Sequence, residues 1–96
     1  MEGSKYDSDV IIIGGGLAGL TSAIHLTKIG CKVIVIEKNS YPKHKVCGEY
    51  ISNEVRSYFQ WLNINIEELN PTHISTLQFS SESGRTIETQ LPLGGF

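Results

Sequence analysis

Asp9-Val10-Ile11-Ile12-Ile13-Gly14-Gly15-Gly16-Leu17-Ala18-Gly19 opens a segment that runs through a helical stretch to Gly30 and closes with Cys31-Lys32-Val33-Ile34-Val35-Ile36-Glu37. The order of residue types reads as strand, glycine turn, helix and second parallel strand, which makes an α/β fold built on a Rossmann-type βαβ unit. Val10 to Ile13 is an uninterrupted β-branched run. Such a run suits a strand buried on both faces of a parallel sheet. It ends where the glycines begin.

Each glycine of Gly14-x-Gly16-x-x-Gly19 has its own expected task. Gly14 turns the backbone sharply from strand to helix, Gly16 lacks a Cβ so that a pyrophosphate can approach the main chain, and Gly19 lets helix and strand pack closely. The phosphates then rest on N–H groups at the helix start, around Leu17 and Ala18, where the helix dipole is positive. No basic side chain is needed for this.

A glycine triplet alone is a weak signal in a chain with ten glycines. The context adds a strand before it, a helix after it, and Glu37 at the end of the next strand, 18 residues beyond Gly19. A carboxylate there can accept hydrogen bonds from both ribose hydroxyls of an adenosine, and it repels a 2′-phosphate. The spacing therefore favours FAD or NAD over NADP. The competing structural explanation is a glycine-rich turn of some other α/β protein.

At 96 residues the chain makes one small domain at most, and a βαβ unit supplies only two strands of a sheet that needs more. The expectation is a truncated, N-terminal portion of an FAD-binding domain. A formal charge of −2 gives no reason to expect nucleic acid or an anionic membrane as partner. Locally, Lys38, Lys43, His44 and Lys45 cluster just after the second strand and could meet phosphate or form a solvated basic loop. Cys31 and Cys47 stand without CxxC or paired His spacing, so no disulfide framework and no metal site is expected, and a cytoplasmic setting fits. Val10 to Leu26 carries no charged residue, yet it is short for a membrane span, holds three adjacent glycines and lacks a basic flank. No transmembrane segment is expected.

In the helix, Leu17, Leu20, Ala23, Ile24, Thr27 and Ile29 spread around much of the surface, with Gly30 as a left-handed cap. His25 reads as a satisfied or surface histidine. Residues 39–51 show no sustained period and form a cofactor-side loop, of a size usually functional or mobile. Residues 52–96 hold a helix capped by Ser52 or Asn53, with Val55, Tyr58, Phe59 and Leu62 on one face. A short helical piece near Glu67 and Glu68 follows, closed by Pro71. Strands at Ile74 to Ser80 and Arg85 to Leu91, joined by Ser81-Glu82-Ser83-Gly84, complete an antiparallel hairpin.

Residues 9–37 resemble the N-terminal FAD-binding fingerprint of the glutathione-reductase-type flavoproteins, with Ala23, Leu26, Gly30 and Glu37 at that family's spacing. Tyr41-Pro42-Lys43-His44-Lys45-Val46-Cys47-Gly48-Glu49 resembles the Lys-x-Cys-Gly segment of flavin oxidoreductases related to p-hydroxybenzoate hydroxylase, especially their geranylgeranyl-reductase-like and halogenase-like branches. Leu91-Pro92-Leu93-Gly94-Gly95-Phe96 is similar to what precedes that family's FAD-contacting arginine helix. The resemblance implies that Gly14, Gly16, Leu17, Ala18 and Gly19 hold the FAD pyrophosphate and that Glu37 and Lys38 sit at the ribose. It also implies that Lys45, Cys47 and Gly48 belong to the cofactor-side loop, the last two reaching toward the ribityl chain and flavin. Cys47 as a small buried hydrophobe is the alternative. Many prenyl reductases of the group have Cys-Gly-Gly where this chain has Cys47-Gly48-Glu49, which weakens prenyl reduction as the activity.

These readings converge on the FAD-binding segment of a flavin-dependent oxidoreductase or monooxygenase acting on a small organic or prenyl-type substrate. NAD(P)H is a candidate reductant. No residue stands out as a catalytic acid, base or nucleophile. The rivals are the Rossmann unit of an NAD-dependent dehydrogenase and a non-catalytic nucleotide-binding or interaction fragment.

Overall fold

A computed structural model describes residues 5–45 and 49–96 of the chain. It divides into two units, residues 1–45 and 46–96.

In the first unit, β1 (Val10–Ile13) and β2 (Val33–Ile36) pair in parallel, with Val10 opposite Val33 and Ile13 opposite Ile36. The Asp9 carboxylate accepts from the Lys32 N–H at 2.8 Å, which fastens the entry of the two strands. At the other end the Gly14 N–H donates to the Ile36 carbonyl at 2.8 Å. Thus the glycine turn starts level with the end of β2, and Glu37 emerges beside it.

Between the strands runs α1 (Leu17–Lys28). Its C-terminus is a Schellman motif: the Cys31 N–H donates to the Leu26 carbonyl and the Gly30 N–H to that of Thr27, with Gly30 at φ +98°. The expected left-handed glycine cap is therefore present. Lys28 lies in the last turn, where the dipole is negative.

Burial in both strands alternates. Val10, Ile12, Val33 and Val35 are half-buried, while Ile11, Ile13, Ile34 and Ile36 are exposed. The expectation of strands buried on both faces is thus not met: a two-stranded sheet with one helix has a second layer on one side only.

In the second unit, Ser52 caps a 3₁₀ turn at Asn53–Val55 by accepting from the Glu54 N–H, and α2 (Arg56–Trp61) continues it. A second 3₁₀ turn, Ile66–Leu69, is capped by Asn65 and ended by Asn70 in the left-handed region at φ 51°. Leu62 and Ile66 are the buried apolar side chains among the described residues. Arg56 ties these turns together, donating from Nε to Asn53 and from a terminal nitrogen to Glu67 at 2.8 Å.

β3 (Ile74–Ser80) and β4 (Thr86–Gly95) form a separate antiparallel pair with Leu77 opposite Thr89 and Phe79 opposite Ile87. Gly84, at φ +85°, closes the turn by donating to the Ser81 carbonyl. β4 runs beyond the expected end at Leu91. Pairing lapses between Gln90 and Gly95, a stretch that holds Pro92, and resumes where Gly95 meets Ile74. The second strand edge is then secured by reciprocal hydrogen bonds between Ile51 and Phe96. Pro92 has no N–H to give a ladder, and it falls where the register shifts.

Candidate functional site

The turn from β1 to α1 separates the three glycines by physical cause. Gly14 has φ +109°, a conformation that side chains with a Cβ rarely adopt. A Cβ on Gly19 would overlap the Gly14 carbonyl oxygen and lie 3.3 Å from the Ile12 side chain. Both glycines are therefore required by the fold, as turn and as close packing. Gly16 differs. It sits at φ −81°, ψ −168°, ordinary extended backbone, and the nearest atom to a Cβ there is the Lys45 ammonium at 3.8 Å.

Gly16 is also the N-cap of α1, which receives no side-chain capping bond and has no acidic residue in its first turn. The first helical hydrogen bond is from the Leu20 N–H to the Gly16 carbonyl. Leu17 and Ala18 are exposed at this end. An anion meets here a positive helix end, an open glycine face and a lysine ammonium.

Glu37 lies one residue past β2 and is held from three directions. Its Oε1 accepts from the Gly15 N–H at 2.9 Å and from Lys43 Nζ at 2.9 Å, and its Oε2 accepts from the Asn39 N–H at 2.7 Å. The Lys43 bond first, then the two backbone donors, hold the carboxyl down at about 2, from an ordinary 4.5. Glu37 is thus an anion throughout the physiological range, fit to accept from a neutral hydroxyl. Three of its roughly four lone-pair positions are filled, and one on Oε2 is open.

The segment after Glu37 folds back over the turn. The Tyr41 hydroxyl donates to the Gly15 carbonyl at 2.6 Å, Lys43 reaches Glu37, and Lys45 reaches the open side of Gly16. Gly15 is buried, and a Cβ on it would overlap the Tyr41 hydroxyl. Sequence reasoning assigned no task to Gly15, Asn39 or Tyr41, and it grouped Lys43 with a basic cluster that could meet phosphate, whereas the lysine bonds Glu37. Only the tyrosine and lysine at positions 41 and 43, four and six residues past the acid, hinted at it.

The structure therefore brings Gly14, Gly16, Leu17, Ala18, Gly19, Glu37 and Lys45 to one turn. Lys38 is exposed next to Glu37. Cys47 and Gly48 lie outside the described residues. An adenosine diphosphate fits this donor set: the open glycine face and helix end suit phosphate, and the ionised Glu37 suits a ribose hydroxyl. Among the described residues, no helix is long and apolar enough to cross a membrane.

Relatives are similar over this same region. The chain is 33% identical over 76 residues to a probable flavin-containing monoamine oxidase A of Dictyostelium discoideum, covering 79% of this chain and 15% of that protein. It is 49% identical over 43 residues to a 1H-pyrrole-2-carbonyl-[peptidyl-carrier protein] chlorinase of Pseudomonas fluorescens, covering 45% of this chain and 10% of that one. A flavin-dependent halogenase of Armillaria mellea is 32% identical over 56 residues, 58% of this chain and 11% of its own. The chain thus spans only 10–15% of the length of these three relatives. No solved structure matches it significantly. Residues 9–84, from the first strand through the hairpin turn, match the family described as pyridine nucleotide-disulphide oxidoreductase, and the chain belongs to that family.

Proposed function

We propose that this chain is the FAD-binding segment of a flavin-dependent oxidoreductase or monooxygenase. The observation that carries the reading is Gly16, a glycine that neither a dihedral angle nor a neighbouring protein atom requires, at the uncapped start of α1. Its open face, the helix N–H groups and Lys45 take the pyrophosphate; Glu37 takes the ribose; Gly14 and Gly19 hold the turn in shape. Lys38 is assigned to the adenosine side, and the family resemblance alone assigns Cys47 and Gly48, outside the described residues, to the flavin side. Two of the relatives, the monoamine oxidase and the fungal halogenase, are named as flavin enzymes. A flavin attached to adenosine diphosphate is FAD.

When bound, the flavin supplies the electron transfer, and the protein's part is to bind and orient it. The reductant belongs to the pyridine nucleotides, the class in the family's description. A small organic substrate, the remainder of a longer flavoprotein chain as structural partner, and a cytoplasmic location complete the proposal. Purified full-length protein is expected to be yellow and to release FAD on denaturation. A colourless full-length protein that binds NAD and not FAD overturns it in favour of a dehydrogenase.

A further inference from the structure

Resting on the adenosine reading of Glu37, we infer that Lys43 is a displaceable guard on the ribose acceptor and thereby sets how strongly this site distinguishes ligands that carry the ribose diol. The argument is a count of acceptor positions. A carboxylate offers roughly four, and the Gly15 N–H, the Asn39 N–H and Lys43 Nζ occupy three of them. One position on Oε2 remains. A ribose presenting both its 2′- and 3′-hydroxyls needs two.

One of the three donors must therefore leave when a diol binds. Gly15 N–H is part of the turn whose carbonyl Tyr41 also holds, and its residue is buried. Asn39 N–H reaches back only two residues to Glu37, so the local chain direction fixes it. Lys43 is different: its ammonium ends a flexible four-carbon stem, and its side chain is 29% exposed against 11% for that of Glu37. The lysine can return its charge to water with little rearrangement. Lys43 thus acts at the ribose, as a positioning residue that competes with the ligand. Lys45, two residues on, faces Gly16 and acts at the phosphate.

The two lysines make opposite predictions. Losing a phosphate-facing lysine weakens every adenosine diphosphate alike, whereas losing the guard strengthens only ligands with the diol. The test titrates ADP and 2′,3′-dideoxy-ADP into full-length protein from which flavin has been removed, comparing wild type with Lys43→Met. ADP is expected to bind the variant about two- to fivefold more tightly, the range of an exposed ion pair, and dideoxy-ADP to bind both proteins equally. If flavin removal unfolds the protein, dilution of the holoprotein gives the same comparison, with FAD retained about two- to fivefold more tightly by Lys43→Met. ADP or FAD affinity that is unchanged or lower in the variant overturns the guard while leaving the adenosine site standing. Failure of folded wild type to bind ADP or FAD overturns the site and the guard together.

Discussion

Gly16 and Glu37 are the residues to which the proposed function assigns the binding chemistry, and each can be separated from its structural surroundings by substitution. Gly16→Ala places a methyl group in open space at an allowed dihedral. The poorer N-cap preference of alanine and its lower unfolded-state entropy oppose each other, so apoprotein stability is expected to change by about 0.5 kcal/mol or less. FAD affinity should nonetheless fall sharply. Gly19→Ala is the contrast, because its Cβ meets the Gly14 carbonyl, a backbone atom with nowhere to go. It should destabilise the apoprotein by about 1–3 kcal/mol. Denaturant melts of both variants, paired with FAD titrations, check this; a lowered melt for Gly16→Ala with intact binding refutes the ligand role. Glu37 gives a second test through pH. Its carboxyl is held at about 2 in the fold against an ordinary 4.5. The unfolded chain therefore binds more protons in that interval, and stability is fully present above pH 4.5 and lost as pH falls toward 2. Glu67, lowered chiefly by its bond to Arg56, adds a loss of the same sign. Glu37→Gln should flatten the acid limb of a stability-against-pH curve without erasing it, and an unchanged limb would show that the carboxylate is not held as described.

At the scale of elements, what the sequence made legible was local. The β-branched runs, the glycine spacing, the Gly30 cap and the Gly84 turn each depend on a few neighbouring residues, and all four appear where expected. Glu37 was legible because its distance from the glycines is set by one helix and one strand. What escaped were contacts across longer stretches with no periodic signature. Tyr41 meets Gly15 26 residues away, and Glu37 meets the same glycine across 22. The late resumption of β4 at Gly95 depends on Ile74 and Ile51, far along the chain. The segment from Asn39 to Lys45 illustrates the difference: a loop by pattern, it is by contact a strap across the glycine turn. Because the Tyr41 hydroxyl is the far end of a mobile side chain, Gly15→Ala should push the tyrosine out rather than unfold the unit. Trypsin cleavage after Lys43 and Lys45 is then expected to accelerate in Gly15→Ala and in Tyr41→Phe, with native far-ultraviolet dichroism in both. Equal cleavage in all three proteins would mean that the phenol does not hold the strap.

For the whole molecule, the decisive quantity is apolar surface left in water. Among the described residues only Leu62 and Ile66 count as buried apolar side chains, while Ile13 is 77% exposed and Ile11 57%. On the hairpin, Ile87 is 69% and Phe79 59% exposed. Contiguous exposed isoleucines on a parallel pair are costly in water and mark a surface made to be covered. Burial contributes roughly 25 cal/mol per Å² of apolar area and conformational entropy opposes folding at about 1–2 kcal/mol per residue, so apolar area left in water on this scale weakens the case for one cooperative state of the described residues. The isolated 96-residue chain is therefore expected to bind a hydrophobic dye strongly and to melt without a sharp transition. In the longer flavoprotein proposed above, the same strands should be covered, with dye binding lost and the amides of Ile11, Ile13, Ile34 and Ile36 protected from hydrogen exchange. A sharp, two-state melt of the isolated chain with little dye bound would show that these residues fold on their own, and that the exposed isoleucine face does not depend on further protein to cover it.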